Sequence, residues 1–235
     1  DKPILVFCSH RHPDHYNTDV CSLLKGLGMN SVTAILAKDI SPRSYPEQTD
    51  VVRVTFHSRY ELPQNTVLET LQSTDAGVAF LVRCREGILY HAGDLNDWVW
   101  AGETAQYNKQ MTGSYRHEID LLKDLLKEEY VDAAFLPLDP RQEADYAQGI
   151  LYFLKKIKVK RVYPMHYWEK PGVISRFLRE QPQMDRVLFL RRYWYLDSIA
   201  DLAQRFSIGE SQVKSRLHRT RVRLREALLR EGVAV

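Results

Sequence analysis

Apolar runs of strand length alternate with helically spaced segments over most of this chain, and the final stretch abandons that alternation. Ile4–Ser9, Val32–Leu36, Val51–Phe56, Gly77–Arg83 and Gly87–Ala92 predict strands, the last two joined around Arg85-Glu86 as a hairpin. Ala133–Leu136 and Lys160–Tyr163 predict two more, separated by the helical stretch Asp145–Lys155. Asp19–Leu27 has helical spacing and stops at Gly28, a residue suited to a helix C-terminus. His117–Glu129 is amphipathic, with Ile119, Leu122, Leu125 and Leu126 on one face. This order predicts a layered α/β domain. From Val187 onward every segment reads as helix, and no strand-like run follows.

Composition adds little, and charge adds more. The chain has 235 residues, 44% hydrophobic and 27% charged, an ordinary globular balance. No apolar run approaches the roughly 18 residues of a membrane span, so no membrane partner is expected. The opening residues lead straight into a strand-like run and lack the features of a secretory signal. Cys8, Cys21 and Cys84 have no metal-binding spacing and predict reduced core thiols in a cytoplasmic protein. Residues 1–185 carry a net −3 and residues 186–235 a net +6, which together give +3. A basic tail on a mildly acidic body suggests a polyanionic partner for the tail alone.

Candidate chemistry concentrates at Ser9-His10-Arg11-His12-Pro13-Asp14-His15, where three imidazoles and a carboxylate fall within six residues at the end of a predicted strand. Such nitrogen and hard-oxygen donors suit zinc, iron or manganese. The motif resembles the signature of the metallo-β-lactamase superfamily, and residues 3–177 follow that family's later elements. The resemblance implies an α/β (α+β) αββα sandwich with its site at the edge where strands end. It implies that His10 and His12 hold a first metal, and Asp14 and His15 a second. Asp94, in Ala92-Gly93-Asp94, matches the bridging aspartate, and His166, in Tyr163-Pro164-Met165-His166, the late histidine of the second metal. The implied cofactors are two divalent ions, zinc first, with iron or manganese as alternatives. The implied chemistry is hydrolysis by a metal-bound hydroxide, with Asp14 or Asp94 orienting the water and moving its proton. The substrate, a small molecule or a phosphodiester, is not readable.

Two departures from the family pattern stand out. Where the family usually supplies another histidine, the chain has Ser73-Thr74-Asp75-Ala76-Gly77, so Asp75 is the candidate oxygen ligand. The motif also begins at residue 10, so the family's leading strands are expected to be missing and the sandwich N-terminally incomplete. His57 and His91 fit the ligand pattern poorly, and His91 is expected to pack beside the site. Trp98 and Trp100 read as core. The segment Leu138-Asp139-Pro140-Arg141-Gln142 stays open between a turn and a substrate contact.

The tail carries a second motif. Ser198–Arg205 predicts a short helix with Ile199, Leu202 and Ala203 inward. Phe206-Ser207-Ile208-Gly209 predicts a turn, and Glu210 opens a longer helix with Val213, Leu217 and Leu224 inward. A short helix, a tight turn and a basic helix is the arrangement that enters a DNA major groove. Asp197–Ala203 and Val213–Arg219 resemble bacterial sigma factor region 4, which implies binding to duplex DNA and contact with RNA polymerase. Gln212, Lys214, Ser215, His218 and Arg219 take the positions near base edges and phosphates. The expected organisation is a metallo-β-lactamase-like domain over residues 1–177 and a small all-α helix-turn-helix domain over 178–235. Three readings stay open: a metallo-hydrolase with a DNA-binding module, a sigma-like regulator with an inactive body, and an accidental join of two pieces.

Overall fold

A computed structural model describes residues 3–29, 31–180, 184–206 and 208–218. The chain divides into two compact units, Asp1–Lys170 and Pro171–Val235. No helix among the described residues is long and apolar enough to cross a membrane.

The first unit holds two sheets. Strands β1 (Ile4–Cys8), β2 (Val32–Ala37) and β3 (Asp50–Val54) form a parallel sheet in that order. The second sheet runs β4 (Arg59–Leu62), β5 (Thr66–Gln72), β6 (Val78–Cys84), β7 (Gly87–His91), β8 (Ala133–Pro137) and β9 (Val162–Met165). It is antiparallel as far as β7 and parallel from there on.

The sheets face each other through Ile35, Ala37 and Val54 on one side and Leu68, Phe80 and Val82 on the other. Phe7 packs edge-on against Phe80, with ring centroids 5.3 Å apart. Strand β2 is covered on both faces, which explains its unbroken apolar run. On the outer face of the first sheet, Ala34 and Leu36 meet Cys21 and Leu24 of helix α1 (Asp19–Gly26). The outer face of the second sheet carries α2 (Ala105–Leu126) and α3 (Gln148–Lys156), where Phe153 stacks on Tyr90 at 5.2 Å. Helix, sheet, sheet, helix is the expected αββα sandwich.

Several elements differ from the sequence expectation. The β4–β5 hairpin was not legible, because its strands interleave polar residues that have specific partners. Glu69 meets Arg83 at 2.7 Å, and the Thr70 hydroxyl donates to the Thr55 carbonyl at 2.6 Å. The hairpin turns through Gln64 and Asn65, both left-handed at φ 64° and 56°. Helix α2 begins at Ala105 rather than His117, capped by the Thr104 hydroxyl, which accepts from the Tyr107 amide at 3.1 Å. Its opening turns are largely exposed, so the apolar stripe starts only at Tyr115. That stripe is Tyr115, Glu118, Ile119, Leu122 and Leu126, while Leu125, expected inside, is 37% exposed. Cys8 and Cys21 are buried free thiols; Cys84 is free and half-buried.

The second unit contains α4 (Gly172–Glu180), which the pattern did not reveal, α5 (Met184–Tyr193), α6 (Ile199–Phe206) and a helical stretch over 210–218. Ser198 and Asp201 cap α6 reciprocally, each side chain accepting from the other's amide at 3.0 Å. Leu188, Leu202, Val213 and Leu217 form the core of this unit. The turn at Ser207 and the inward position of Leu224 lie outside the described residues.

The two sheets are tied where β1 ends. The Val78 amide donates to the Ser9 carbonyl at 3.0 Å. Gly77 makes this approach possible: its φ is +70°, and a Cβ there would lie 1.9 Å from the Ser9 oxygen and 2.5 Å from the His10 Cβ. Gly77→Ala is expected to cost about 3 kcal/mol or more, near the top of the range for one substitution. Gly113→Ala, within α2 and facing open space, should be neutral or stabilising by up to about 1 kcal/mol. Urea unfolding of both variants checks the contrast.

Candidate metal centre

Four chain segments bring the candidate ligands together at one edge of the sandwich. The first follows β1, where the chain breaks at Ser9 and folds back. The His15 and Tyr16 amides both donate to the His12 carbonyl, at 2.9 and 2.8 Å. This tight turn presents His10, His12, Asp14 and His15 from one short loop. The second segment, Ser73–Gly77, is closed by the Ser73 amide donating to the Gly77 carbonyl at 3.3 Å. The Thr74 hydroxyl donates to the Asn96 carbonyl at 2.6 Å, which ties this loop to the third segment. There the chain leaves β7 and turns at Gly93, whose φ of +54° and close approach to Ser9 leave no room for a side chain. The fourth follows β9, where His166 itself is left-handed at φ 64°. A non-glycine residue held in that region is strained, and such strain clusters at functional sites.

Asp94 is the point of convergence. It is 3% exposed, and its carboxylate meets His10 Nε2 at 3.2 Å, His15 Nε2 at 3.1 Å and His166 Nε2 at 2.9 Å. Burial pushes this carboxyl upward, but the hydrogen bonds from His10, His15 and His166 outweigh it and hold it well below the usual carboxylate range. His15 Nε2 and His166 Nε2 lie 3.2 Å apart, and His10 Nε2 is 3.0 Å from His12 Nδ1.

Among the described residues, ligand atoms within 4.8 Å of one another occur in four groups: His10, His15 and Asp94; His10, His12 and Asp14; Asp14, His15 and His166; and His12, Asp75 and Asp94. All seven candidate ligands from the sequence, Asp75 included, therefore meet in one cluster. His57 and His91 stand apart. His57 pairs with the buried Glu118 at 3.0 Å. His91 Nδ1 accepts from the Gly93 amide at 3.0 Å and its ring stacks on Phe135. Burial and the nearby His15 push His91 down to about 4, against the pull of Asp94, so it packs beside the site as a neutral ring.

The donor set fits divalent cations. Ser9 Oγ lies 3.1 Å from both His10 Nδ1 and His15 Nδ1. A hydroxyl oxygen has two lone pairs, so it can accept from both Nδ1–H groups, and a cation would then take the place of the Nε2 protons that now bond Asp94. Asp139, fully buried, does the same for His166: its Oδ2 lies 3.3 Å from Nδ1 and also accepts from Trp168 Nε1 at 3.0 Å. Ring nitrogens facing one another and a carboxylate at hydrogen-bond distance call for a positive charge between them. A proton can serve in place of a metal. Burial disfavours the charged His166, but its bonds to Asp139 and Asp94 prevail and raise it to about 9.

Neither Ser9 nor Asp139 was singled out as a positioning residue from the sequence. The only signal was their place beside the motif and within the open Leu138–Gln142 segment. Trp98 is core as expected, its Nε1 donating to the Asp94 carbonyl at 2.8 Å. Trp100 is only half-buried. A cleft of about 470 Å³ opens beside Asp14, His15, His166 and Trp168.

In the helical unit, Gln212, Lys214, Ser215 and His218 are exposed on the 210–218 helix, while Val213 and Leu217 point into the core. Lys214 pairs with Glu210 at 3.5 Å, an exposed pair of little energetic weight. Arg219 lies outside the described residues.

No protein-family model and no curated protein matches this chain. Similar solved structures include a protein of Parabacteroides distasonis assigned as a metal-dependent hydrolase, at 16% identity and TM-score 0.43, covering 75% of this chain and 71% of that one. The metallo-β-lactamase fold protein YhfI of Bacillus subtilis is similar at 8% identity and TM-score 0.43, covering 73% and 69%. Zn(2+)-bound PqqB of Methylobacterium extorquens is similar at 12% identity and TM-score 0.38, covering 73% and 66%.

Removing the Ser9 hydroxyl frees two imidazole rings to turn or change tautomer. Ser9→Ala is expected to weaken metal binding about 10- to 100-fold with an unchanged circular dichroism spectrum. Competition against a chromophoric chelator measures it.

Proposed function

We propose that the first unit is a metal-dependent hydrolase that holds two divalent ions between His10, His12, Asp75 and Asp94 on one side and Asp14, His15, His166 and Asp94 on the other. The observation that carries this reading is the convergence of three imidazole nitrogens on the buried Asp94 from segments far apart in the chain. Ions bound there would acidify water and polarise the oxygen of an ester or phosphodiester under attack. The chain's own residues do the rest. Asp94, central and buried, spans the two ligand sets and fixes their spacing. Asp14, whose side chain is 44% exposed and lies 3.5 Å from His15, faces incoming substrate and can orient water and carry a proton to the leaving group. Ser9 and Asp139 keep the ligand rings in their working tautomers.

A second activity belongs to the helical unit. Its observation is the exposure of Gln212, Lys214, Ser215 and His218 on a helix seated, through Val213 and Leu217, on the same small core as α5 and α6. We infer that this unit binds duplex DNA in the manner of a sigma factor region 4, with RNA polymerase as a further partner. If the first unit proves inactive, the chain is a sigma-like regulator instead.

Two experiments separate these readings. Purified protein should contain two equivalents of divalent metal by elemental analysis and hydrolyse a generic ester or phosphodiester. His12→Ala should lose about half the metal and at least 100-fold in kcat/KM; a wild type that takes up no metal would refute the hydrolase. For the tail, binding to duplex DNA should fall steeply and linearly in log–log form with salt. Lys214→Ala should weaken binding and flatten that slope by about one, read by fluorescence anisotropy.

A further inference from the structure

Beside the metal centre lies a second constellation that the ligand set does not use. Arg141 is clamped to the buried Asp139: its Nε lies 2.9 Å from both carboxylate oxygens and its Nη2 2.5 Å from Oδ2. Its guanidinium lies over the Trp168 ring at 4.4 Å and the Trp100 ring at 5.8 Å. Trp100 in turn stacks parallel on Trp98, 5.7 Å away. The Trp168 ring stands edge-on to His166 at 5.5 Å, and Trp98 to the same ring at 5.6 Å, so this assembly forms the wall of the candidate metal centre.

The fork is only half used. A guanidinium carries five N–H donors. Asp139 takes those on Nε and Nη2, and Nη1 has no partner among the described residues. The Arg141 side chain is 47% exposed, and Trp168 is 45% exposed. An arginine needed only to hold Asp139 would not require an open outer edge between two partly exposed indoles. Held rigid, that edge matches the two oxygens of a carboxylate or phosphate, and loses little entropy when it binds one.

We propose that Arg141, with Trp100 and Trp168, is the substrate-recognition subsite of this centre and selects esters that carry a second, anionic group, a carboxylate or a phosphate oxyanion. The inference rests on the hydrolase reading. The clamp at Asp139 sets the arginine's direction, the indoles cover apolar substrate next to the anion, and His166 lies one ring away. Asp139 serves both roles, accepting from the metal ligand's Nδ1 and from the recognition arginine through the same Oδ2.

The test compares three p-nitrophenyl esters on metal-loaded full chain: the neutral acetate, the monoester of glutaric acid with its free carboxylate, and the ester of 4-(phosphonooxy)butanoic acid with its free phosphate. Arg141→Gln should raise KM for one or both anionic substrates about tenfold or more, the magnitude of a charged hydrogen bond, and leave the acetate within twofold. Which anionic arm responds identifies carboxylate or phosphate. Trp168→Leu, which keeps the charge, should raise KM for the same substrates by a smaller factor. Equal losses on all three substrates, with metal content reduced, would show that Arg141 only supports Asp139 and His166, and would overturn the proposal. So would no change on any. If the chain hydrolyses nothing, the hydrolase reading fails on its own. The subsite is then read by tryptophan fluorescence during titration with inorganic phosphate and with glutarate. An anion-dependent change present in wild type and lost in Arg141→Gln supports the subsite, and identical curves refute it.

Discussion

The meeting of Ser9 with Gly77 and Gly93 is the contact on which the rest of the first unit depends. Ser9 closes β1, the edge of the small parallel sheet, and its carbonyl accepts from Val78, the first residue of β6 in the other sheet. Its Cβ would lie 2.8 Å from a side chain at Gly93, where β7 gives way to the Asp94 turn. Three segments therefore share a space that admits no extra methyl group. Because His10, Asp75 and Asp94 lie within two residues of Ser9, Gly77 and Gly93, the distance between sheets and the geometry of these candidate ligands are set by the same packing. Sheet separation cannot drift without opening the cluster.

Electrostatics then act on a frame that is already fixed. Asp94 sits where burial alone would neutralise it, yet three imidazoles keep it ionised. Asp139 repeats the device one layer further out, between His166, Trp168 and Arg141. Burial raises its carboxyl, but bonds from His166 and Arg141 bring it well below the usual range. Two buried carboxylates on either side of the His166 imidazole favour its charged form and raise it to about 9, against the cost of burial. Its left-handed backbone is the conformational cost of aiming Nε2 inward from the end of β9.

What was legible in the sequence follows from how local each signal was. The candidate ligands of the first loop are adjacent in the chain, and strands with apolar residues on both faces leave continuous runs, so β1, β2, β6, β7 and the histidine motif could be read directly. Asp94 and His166 could be placed only through the family resemblance, by their order after the histidine motif. The β4–β5 hairpin could not, since Glu69 and Thr70 are polar residues satisfied by partners distant in sequence. The first turns of α2 are polar because they face water, so the stripe that marks the helix begins ten residues late. Ser9 and Asp139 left no pattern at all: their roles arise from lone pairs pointed at ring nitrogens, and nothing in a one-dimensional string records direction. Arg141 sat in an open segment for the same reason, its meaning set by the indoles around it.

Asp139 also explains why recognition and metal holding are expected to be linked at this centre. One oxygen, Oδ2, accepts from His166, Trp168 and Arg141 together. The clamp on both carboxylate oxygens keeps the guanidinium aimed outward, while Oδ2 still accepts from His166. A stronger Nδ1–H···O bond makes the opposite nitrogen a better donor to a cation. On the proposed reading, one carboxylate thus orients both the ring behind it and the fork in front of it, and a neutral substrate leaves that fork untouched.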